Sequence, residues 1–423
     1  MTLKNYHTGR RYTAYVNTLG TTQLHLRSPW VVAFWSMMFP GLGHVLLSKY
    51  LRGYILFLWE VFINLQGHIN MAIFHSFLGD FEAAKQVLDT RWALIYIPVY
   101  FFAIWDSFRS AVDLNNQYVL AARENGALKP FKLDAVEINY LDKKCPITSA
   151  LWSMVTPGLG QLSINRLASA FFMLTWAMVI VFLSNLLPAV HETWVGNFAQ
   201  GKMLLNVQWF LNIPSVYFYA AYDAYVNTVE GNKLFDREQA NFFKRRYQTS
   251  NFKMPSLKRS GSGCMYIVST FKHSIMLEQA ITAVEQKGIA RENILAVSLD
   301  KRDEKQKLFD SMHQSDGISI LDVPFILGSF LALMGAIYGF NFYLGPLLWG
   351  IIGFIVGAAL GLAIKLIINR KHIRYRSQQQ NPEVVLIVEC GENEADTVKD
   401  LLWEHDAMGV RKLELGRSQA SAS

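Results

Sequence analysis

Apolar residues gather in blocks along this chain: Trp30–Leu47, Gly53–Ile63, Trp92–Trp105, Ala168–Val190, Trp209–Tyr222 and Val323–Ile368. A helix that crosses a bilayer needs roughly 20 mostly apolar residues. The last block is long enough for two crossings, carries Lys365 as its one charge, and offers a turn between Asn341 and Pro346. One such block can be a buried helix of a soluble domain; six together predict an α-helical integral membrane protein.

An offset repeats within the first part of the chain. Pro29 and Pro146 stand 117 residues apart (146 − 29), and at that spacing Trp35, Ser36 and Met37 meet Trp152, Ser153 and Met154. Pro40-Gly41-Leu42-Gly43 meets Pro157-Gly158-Leu159-Gly160. Trp59 meets Trp176, Trp92 meets Trp209, Tyr100-Phe101 meets Tyr217-Phe218, Asp106 meets Asp223, and Asn115 meets Asn232. One offset held without gaps over so many rare residues predicts a tandem duplication. Each copy holds two to three hydrophobic helices. The first piece has PGLG at its middle, where proline removes a hydrogen bond and two glycines loosen the chain, so a straight spanning helix is not expected there.

The C-terminal third follows other periods. Met265–Phe271, Ile294–Leu299, Val384–Glu389 and Val410–Leu415 read as strands, Ile275–Gln286 and Glu392–His405 as helices. Two βαβ halves predict an α+β ferredoxin-like domain. The apolar hairpin replaces the connection between the halves. Gly335 and Gly339 on its first arm, and Gly353, Gly357 and Gly361 on its second, recur every four residues, a spacing that lets helix backbones approach closely.

The expected organisation is a cytoplasmic N-terminal segment (1–28), membrane repeat 1 (29–115), a cytoplasmic linker (116–145), membrane repeat 2 (146–232) and a basic linker (233–263). Then come the first βαβ half (264–320), the glycine-zipper hairpin (321–369), the second βαβ half (370–416) and a disordered tail (417–423). Within the basic linker, Leu234–Tyr247 reads either as a short basic amphipathic helix at the membrane surface or as a solvated helix.

Composition supports the membrane reading: 52% of the 423 residues are hydrophobic and only 17% charged, below the quarter usual for soluble domains. The formal charge of +7 sits in basic clusters beside the apolar blocks, among them Arg10, Arg11 and Arg27, Lys244–Arg246, and Arg370 with Arg374. Clusters so placed suit anionic lipid heads and cytoplasmic loops, not nucleic acid. Both termini are then cytoplasmic. With PGLG re-entrant, Lys49 and Arg52 stay inside, the loops His68–Arg91 and His191–Asn206 face out, and the chain makes six full spans. The alternative is three spans per copy, with the second copy inverted. Cys145, Cys264 and Cys390 lie far apart and suggest neither a disulfide framework nor a metal site.

PGLG followed by His or Gln, a basic connection, and a helix ending in Trp/Tyr-Asp resembles the TM2-type family of small membrane modules. The residues concerned are PGLGHVLLSKYLRG with AIWDSF, and PGLGQLSINRLAS with AAYDAY. The layout of the C-terminal third resembles bacterial stress-associated membrane proteins that join a ferredoxin-like fold to a glycine-zipper hairpin. These resemblances imply a bacterial cell-membrane protein and no catalysis; the glycine faces either pack the two arms on each other or join protomers, and the second choice predicts self-association.

Among polar candidates, Asp106 and Asp223 sit at matching positions of mostly apolar helices and read first as caps or interfacial anchors, Asp106 pairing with Arg109 one turn on. Glu60 lies inside the second piece; its counterpart is Ala177. His44 is matched by Gln161, a change that keeps hydrogen bonding and loses metal binding, so it reads as satisfying backbone opened by the proline. No HExxH, Walker A, GxSxG or kinase pattern occurs. The expected function is a non-enzymatic scaffold or regulator, without cofactor or nucleic-acid partner. It contacts lipids, associates with itself and has a cytoplasmic domain able to bind a small ligand. A transporter or channel is the alternative, a lipid-modifying enzyme the third.

Overall fold

The computed structural model describes residues 10–124, 126, 128–248, 264–299, 321–368 and 383–413. In chain order its elements begin with a hairpin of β1 (Ala14–Asn17) and β2 (Gly20–Gln23). There follow α1 (Pro29–Met38), α2 (Leu42–Leu46), α3 (Tyr50–Gly67), α4 (Ile69–Phe77), α5 (Phe81–Val87) and α6 (Thr90–Glu124). After a second hairpin, β3 (Phe131–Leu133) and β4 (Ile138–Tyr140), come α7 (Pro146–Val155), α8 (Leu159–Ser163), α9 (Leu167–Leu183), α10 (Leu186–Val195), α11 (Phe198–Leu204), α12 (Val207–Phe210) and α13 (Ile213–Arg246). The last part holds β5 (Cys264–Phe271), α14 (Ile275–Gln286), β6 (Ile294–Ser298), α15 (Asp322–Gly339), α16 (Gly345–Ile368), β7 (Val384–Gly391), α17 (Ala395–Glu404) and β8 (Gly409–Leu413). Two compact units result: Met1–Glu230 with Gln306–Ile373, and Gly231–Lys305 with Arg374–Ser423.

In the first unit, element starts recur at the 117-residue offset: α1 and α7, α2 and α8, α3 and α9, α4 and α10, α5 and α11, α6 and α12. The breaks recur too. Phe39 (φ −157°) and Thr156 (φ −146°) end the first helix of each segment in extended conformation, and Gly41 and Gly158 then turn left-handed, at φ 99° and 105°. Leu42 N donates to Phe39 O, and Leu159 N to Thr156 O, both at 3.2 Å. Proline followed by a left-handed glycine is the residue pair of a type II turn. Close approach fixes the second glycine: a Cβ on Gly160 would lie 2.9 Å from that of Ala224, and one on Gly43 3.3 Å from that of Ser107.

Several expectations need correction. Among the described residues two helices, α15 and α16, are individually long and apolar enough to cross a membrane, and four if the bent pairs α5–α6 and α9–α10 each count as one span. Six are not reached, because α3 carries Arg52, Glu60 and Asn64, and α13 carries Asp223, Asn227 and Glu230. The stretches 68–91 and 191–206 are mostly helical instead of loops. Segment 116–145 is not simply a linker: α6 runs on to Glu124, and β3–β4 follows. Nor is Leu234–Tyr247 a separate surface helix, since it continues α13 and Phe243 and Tyr247 are buried in the core of the second unit. The segments 249–263, 300–320, 369–382 and 414–423 lie outside the described residues, and with them most of the basic linker, Arg370, Arg374 and the tail.

The hairpin arms pack antiparallel, glycine face on backbone. A Cβ on Gly361 would lie 2.7 Å from Pro324 Cα, and one on Gly339 2.6 Å from Pro346 Cα. Gly353 meets Leu331, Gly357 meets Leu327 and Gly335 meets Trp349 in the same way. The hairpin also packs on α13: the rings of Phe218 and Phe354 stack at 3.9 Å, and Tyr222 OH donates to Asp322 Oδ1 at 2.8 Å.

The second unit is built on a four-stranded antiparallel sheet of order β6-β7-β5-β8. Alternation along β7 buries Val384, Leu386, Val388 and Cys390. These meet Leu277, Ile281 and Val284 of α14 and Val398 and Leu402 of α17 in one core. Ser274 caps α14 by accepting from Leu277 N, and left-handed Gly288 (φ 94°) follows its last turn.

Candidate functional site

The residue after each PGLG reaches the aspartate of the long helix. His44 Nε2 lies 2.9 Å from Asp106 Oδ2, and Gln161 Nε2 donates to Asp223 Oδ2 at 3.1 Å and to Ala220 O at 2.8 Å. His44 and Gln161 therefore join α2 to α6 and α8 to α13, where the sequence suggested satisfaction of backbone opened by the proline. Each aspartate also takes an arginine. Arg52 Nη1 donates to Asp106 Oδ2 at 2.8 Å; Arg166 Nη1 donates to both oxygens of Asp223, at 2.9 and 3.0 Å. Arg109 is not the partner of Asp106; its guanidinium lies over the Trp105 ring at 5.6 Å.

The two arginines come from different positions. By the offset, Arg166 corresponds to Lys49, whose ammonium donates to Ser110 Oγ at 2.8 Å, and Arg52 corresponds to Ser169. Arg166 further donates through Nη2 to Tyr50 OH at 2.8 Å and to Ser48 Oγ at 3.3 Å, tying the second segment to the first. Asn227 Nδ2 donates to Asp223 Oδ1 at 2.8 Å and itself accepts from Arg27 Nη2 at 3.1 Å. Asp106 and Asp223 thus bridge to neighbouring helices.

Glu60 sits in a second polar cluster that sequence reasoning saw only in part. It is buried on α3, and its Oε1 accepts from Asn64 Nδ2 at 3.1 Å and Tyr96 OH at 3.3 Å. Asn64 Nδ2 also donates to Asn70 Oδ1, Asn70 Nδ2 to Gln208 O and Asn212 Oδ1, and Gln208 Nε2 to Asn64 O and Oδ1. Asn70 N donates to Asn64 Oδ1 and Met71 N to Gln208 Oε1; since a backbone N–H needs an oxygen, these two bonds fix which way both amides point. Asn64, Asn70, Gln208 and Asn212 were missed because nothing local marks them. The only available signal was that all four differ in type from the residues at the 117-residue offset, which are Val181, Leu187, Arg91 and Ile95.

No family model, curated protein or solved structure matches the chain. Among the described residues, no three His, Cys, Asp or Glu side chains cluster in a way that could hold a metal ion.

Proposed function

We propose that this chain is a non-enzymatic membrane scaffold or regulator. Two tandem copies of a module resembling the TM2 type hold the membrane, and a ferredoxin-like domain faces the cytoplasm with both chain termini. The observation that carries the reading is an insertion. β6 and β7 are hydrogen-bonded neighbours in the sheet, yet the whole apolar α15–α16 hairpin lies between them in sequence. The antiparallel arms start and finish at one end of the hairpin, so a small αβ domain receives a membrane-crossing segment without losing strand pairing. Order β6-β7-β5-β8 is that of two interleaved βαβ halves, and such domains commonly bind small ligands or one another, an inference by fold alone. The aspartates support the same reading, because their hydrogen bonds run to neighbouring helices and serve packing.

Two measurements test this. Purified protein reconstituted into liposomes should give no saturable solute or ion flux above protein-free vesicles; such flux would support a transporter built on the repeat. In intact cells, single cysteines replacing Asn116 or Gly126, in a background lacking the three native cysteines, should resist a membrane-impermeant thiol reagent. Labelling at either would place that region outside and favour three spans per copy.

A further inference from the structure

We propose that the cluster around Glu60 is a binding site for one small monovalent cation. Each side-chain amide nitrogen of the cluster already has two acceptors within hydrogen-bond distance. Those of Asn64, Asn70 and Gln208 are given above, and Asn212 Nδ2 donates to Gln208 O and Trp209 O, each at 3.3 Å. Glu60 Oε1 accepts two donors, while its buried Oε2 has no hydrogen-bond partner in the chain. What the cluster has left to offer is therefore acceptor capacity only: the second carboxylate oxygen and the spare lone pairs of the amide oxygens. A cavity of about 10 Å³ opens there, lined by Glu60, Asn64, Gln208 and Asn212 with Phe39 and Trp209 among its apolar walls. That is room for one water-sized or smaller guest.

Charge narrows the guest. A buried carboxylate needs a proton or a positive partner, and no Lys, Arg or His lines this cavity. Oε2 meets no hydrogen-bond donor from the chain, so its charge is left for a guest in the cavity to balance. A single carboxylate balances a monovalent charge and leaves a divalent one in excess. Oxygen donors from a carboxylate and neutral amides suit a hard cation.

The offset argues that these residues are not required by the packing. At the equivalent place in the second segment the same helices are built with Ala177, Val181 and Leu187, and the positions equivalent to Gln208 and Asn212 hold Arg91 and Ile95. The polar set therefore appears once, between α3 and α4 of the first segment and α12 with the turn that follows it in the second.

The test is thermal unfolding of the full chain in mild detergent at fixed pH and ionic strength. Sodium chloride is titrated against N-methyl-D-glucamine chloride. The wild type should gain about 3 °C as sodium replaces the bulky cation, saturably, as expected of a ligand that binds the folded state. Glu60→Gln should lose that response. Glu60→Asp, which keeps the charge but withdraws it by one methylene, should retain it at several-fold higher sodium and covers the case in which Glu60→Gln does not fold. Equal stability of the wild type in both salts would mean that water or a proton serves Oε2, and would overturn the proposal. So would a sodium response that survives in Glu60→Gln, because the ion would then bind elsewhere.

Discussion

Asp106 and Asp223 stand 117 residues apart (223 − 106) at corresponding positions of the chain, yet the arginine partner of one is exposed and that of the other is buried. The side chains of Arg52 and Asp106 are 52% and 13% exposed; those of Arg166 and Asp223 are 5% and 0%. Helix face explains the contrast. On α13 the residues flanking the aspartate, Phe218 and Tyr222, are covered by the α15–α16 hairpin, whereas their counterparts on α6, Phe101 and Trp105, are 65% and 54% exposed. The first segment keeps an apolar face suited to lipid, and the second has given that face to the hairpin. A motif can thus be preserved in residue type while its energetic weight changes severalfold, because the surrounding dielectric sets the value of a charge pair.

That contrast is sharpest at Asp223. Asp223→Ala leaves the Arg166 guanidinium buried without its carboxylate, and should cost about 3–5 kcal/mol, read as a fall in unfolding temperature or in membrane accumulation. Removing both charges, with Arg166→Met and Asp223→Leu together, should restore much of that loss, since the desolvation cost disappears with the pair. A double variant no better than the single would show that the hydrogen bonds to Tyr50 and Asn227 matter more than the charge.

Smaller effects are expected in the first segment. Asp106→Ala should cost about 1–3 kcal/mol, less than Asp223→Ala, because Arg52 returns to solvent while the buried His44 ring loses its partner. A loss equal to that of Asp223→Ala would break the comparison. His44→Gln should leave stability nearly unchanged, within about 0.5 kcal/mol, as Gln161 already fills the equivalent role. The weakest effect concerns the start of the chain, where Arg11 Nη1 lies 2.6 Å from Glu124 Oε1 and Arg11 N donates to Oε2 at 2.7 Å. Hydrogen bonds from Arg11 hold the Glu124 carboxyl below its usual range. Its stabilising contribution is present above the unfolded carboxylate value of about 4.3 and is lost as pH falls through the lower folded value. Melting curves of Arg11→Ala and wild type should therefore converge as pH is lowered through this range.

The hairpin glycines need a different account from self-association. Gly335, Gly339, Gly353, Gly357 and Gly361 all face the opposite arm, and Gly350 faces Ala332 and Ala336. Any contact between copies would have to use another surface, such as the exposed ridge of Ile351, Ile355 and Val356. Gly357→Ile should then damage the folding of the hairpin itself, because its Cβ would already lie 2.7 Å from the carbonyl carbon of Leu327.

Local chemistry made part of this protein readable in the sequence. Alternation placed β5, β6, β7 and β8 to within about two residues, and helical period with Gly288 beyond it delimited α14. The helix breaks at Pro40-Gly41 and Pro157-Gly158 follow from a missing amide and a left-handed φ that only glycine adopts cheaply. Four-residue glycine spacing identified the faces on which α15 and α16 meet. Only tertiary structure decided which arginine meets which aspartate: Arg52 sits one turn beyond the place that Arg166 occupies, and long flexible side chains reach their partners across that gap. It also decided that the hairpin covers α13 and leaves α6 bare, and that Glu60 and Asn64 meet Gln208 and Asn212 well over a hundred residues away. Amides carry no periodic signature, and their roles are set by which helices pack together, a choice made by summed side-chain contacts far apart in the chain.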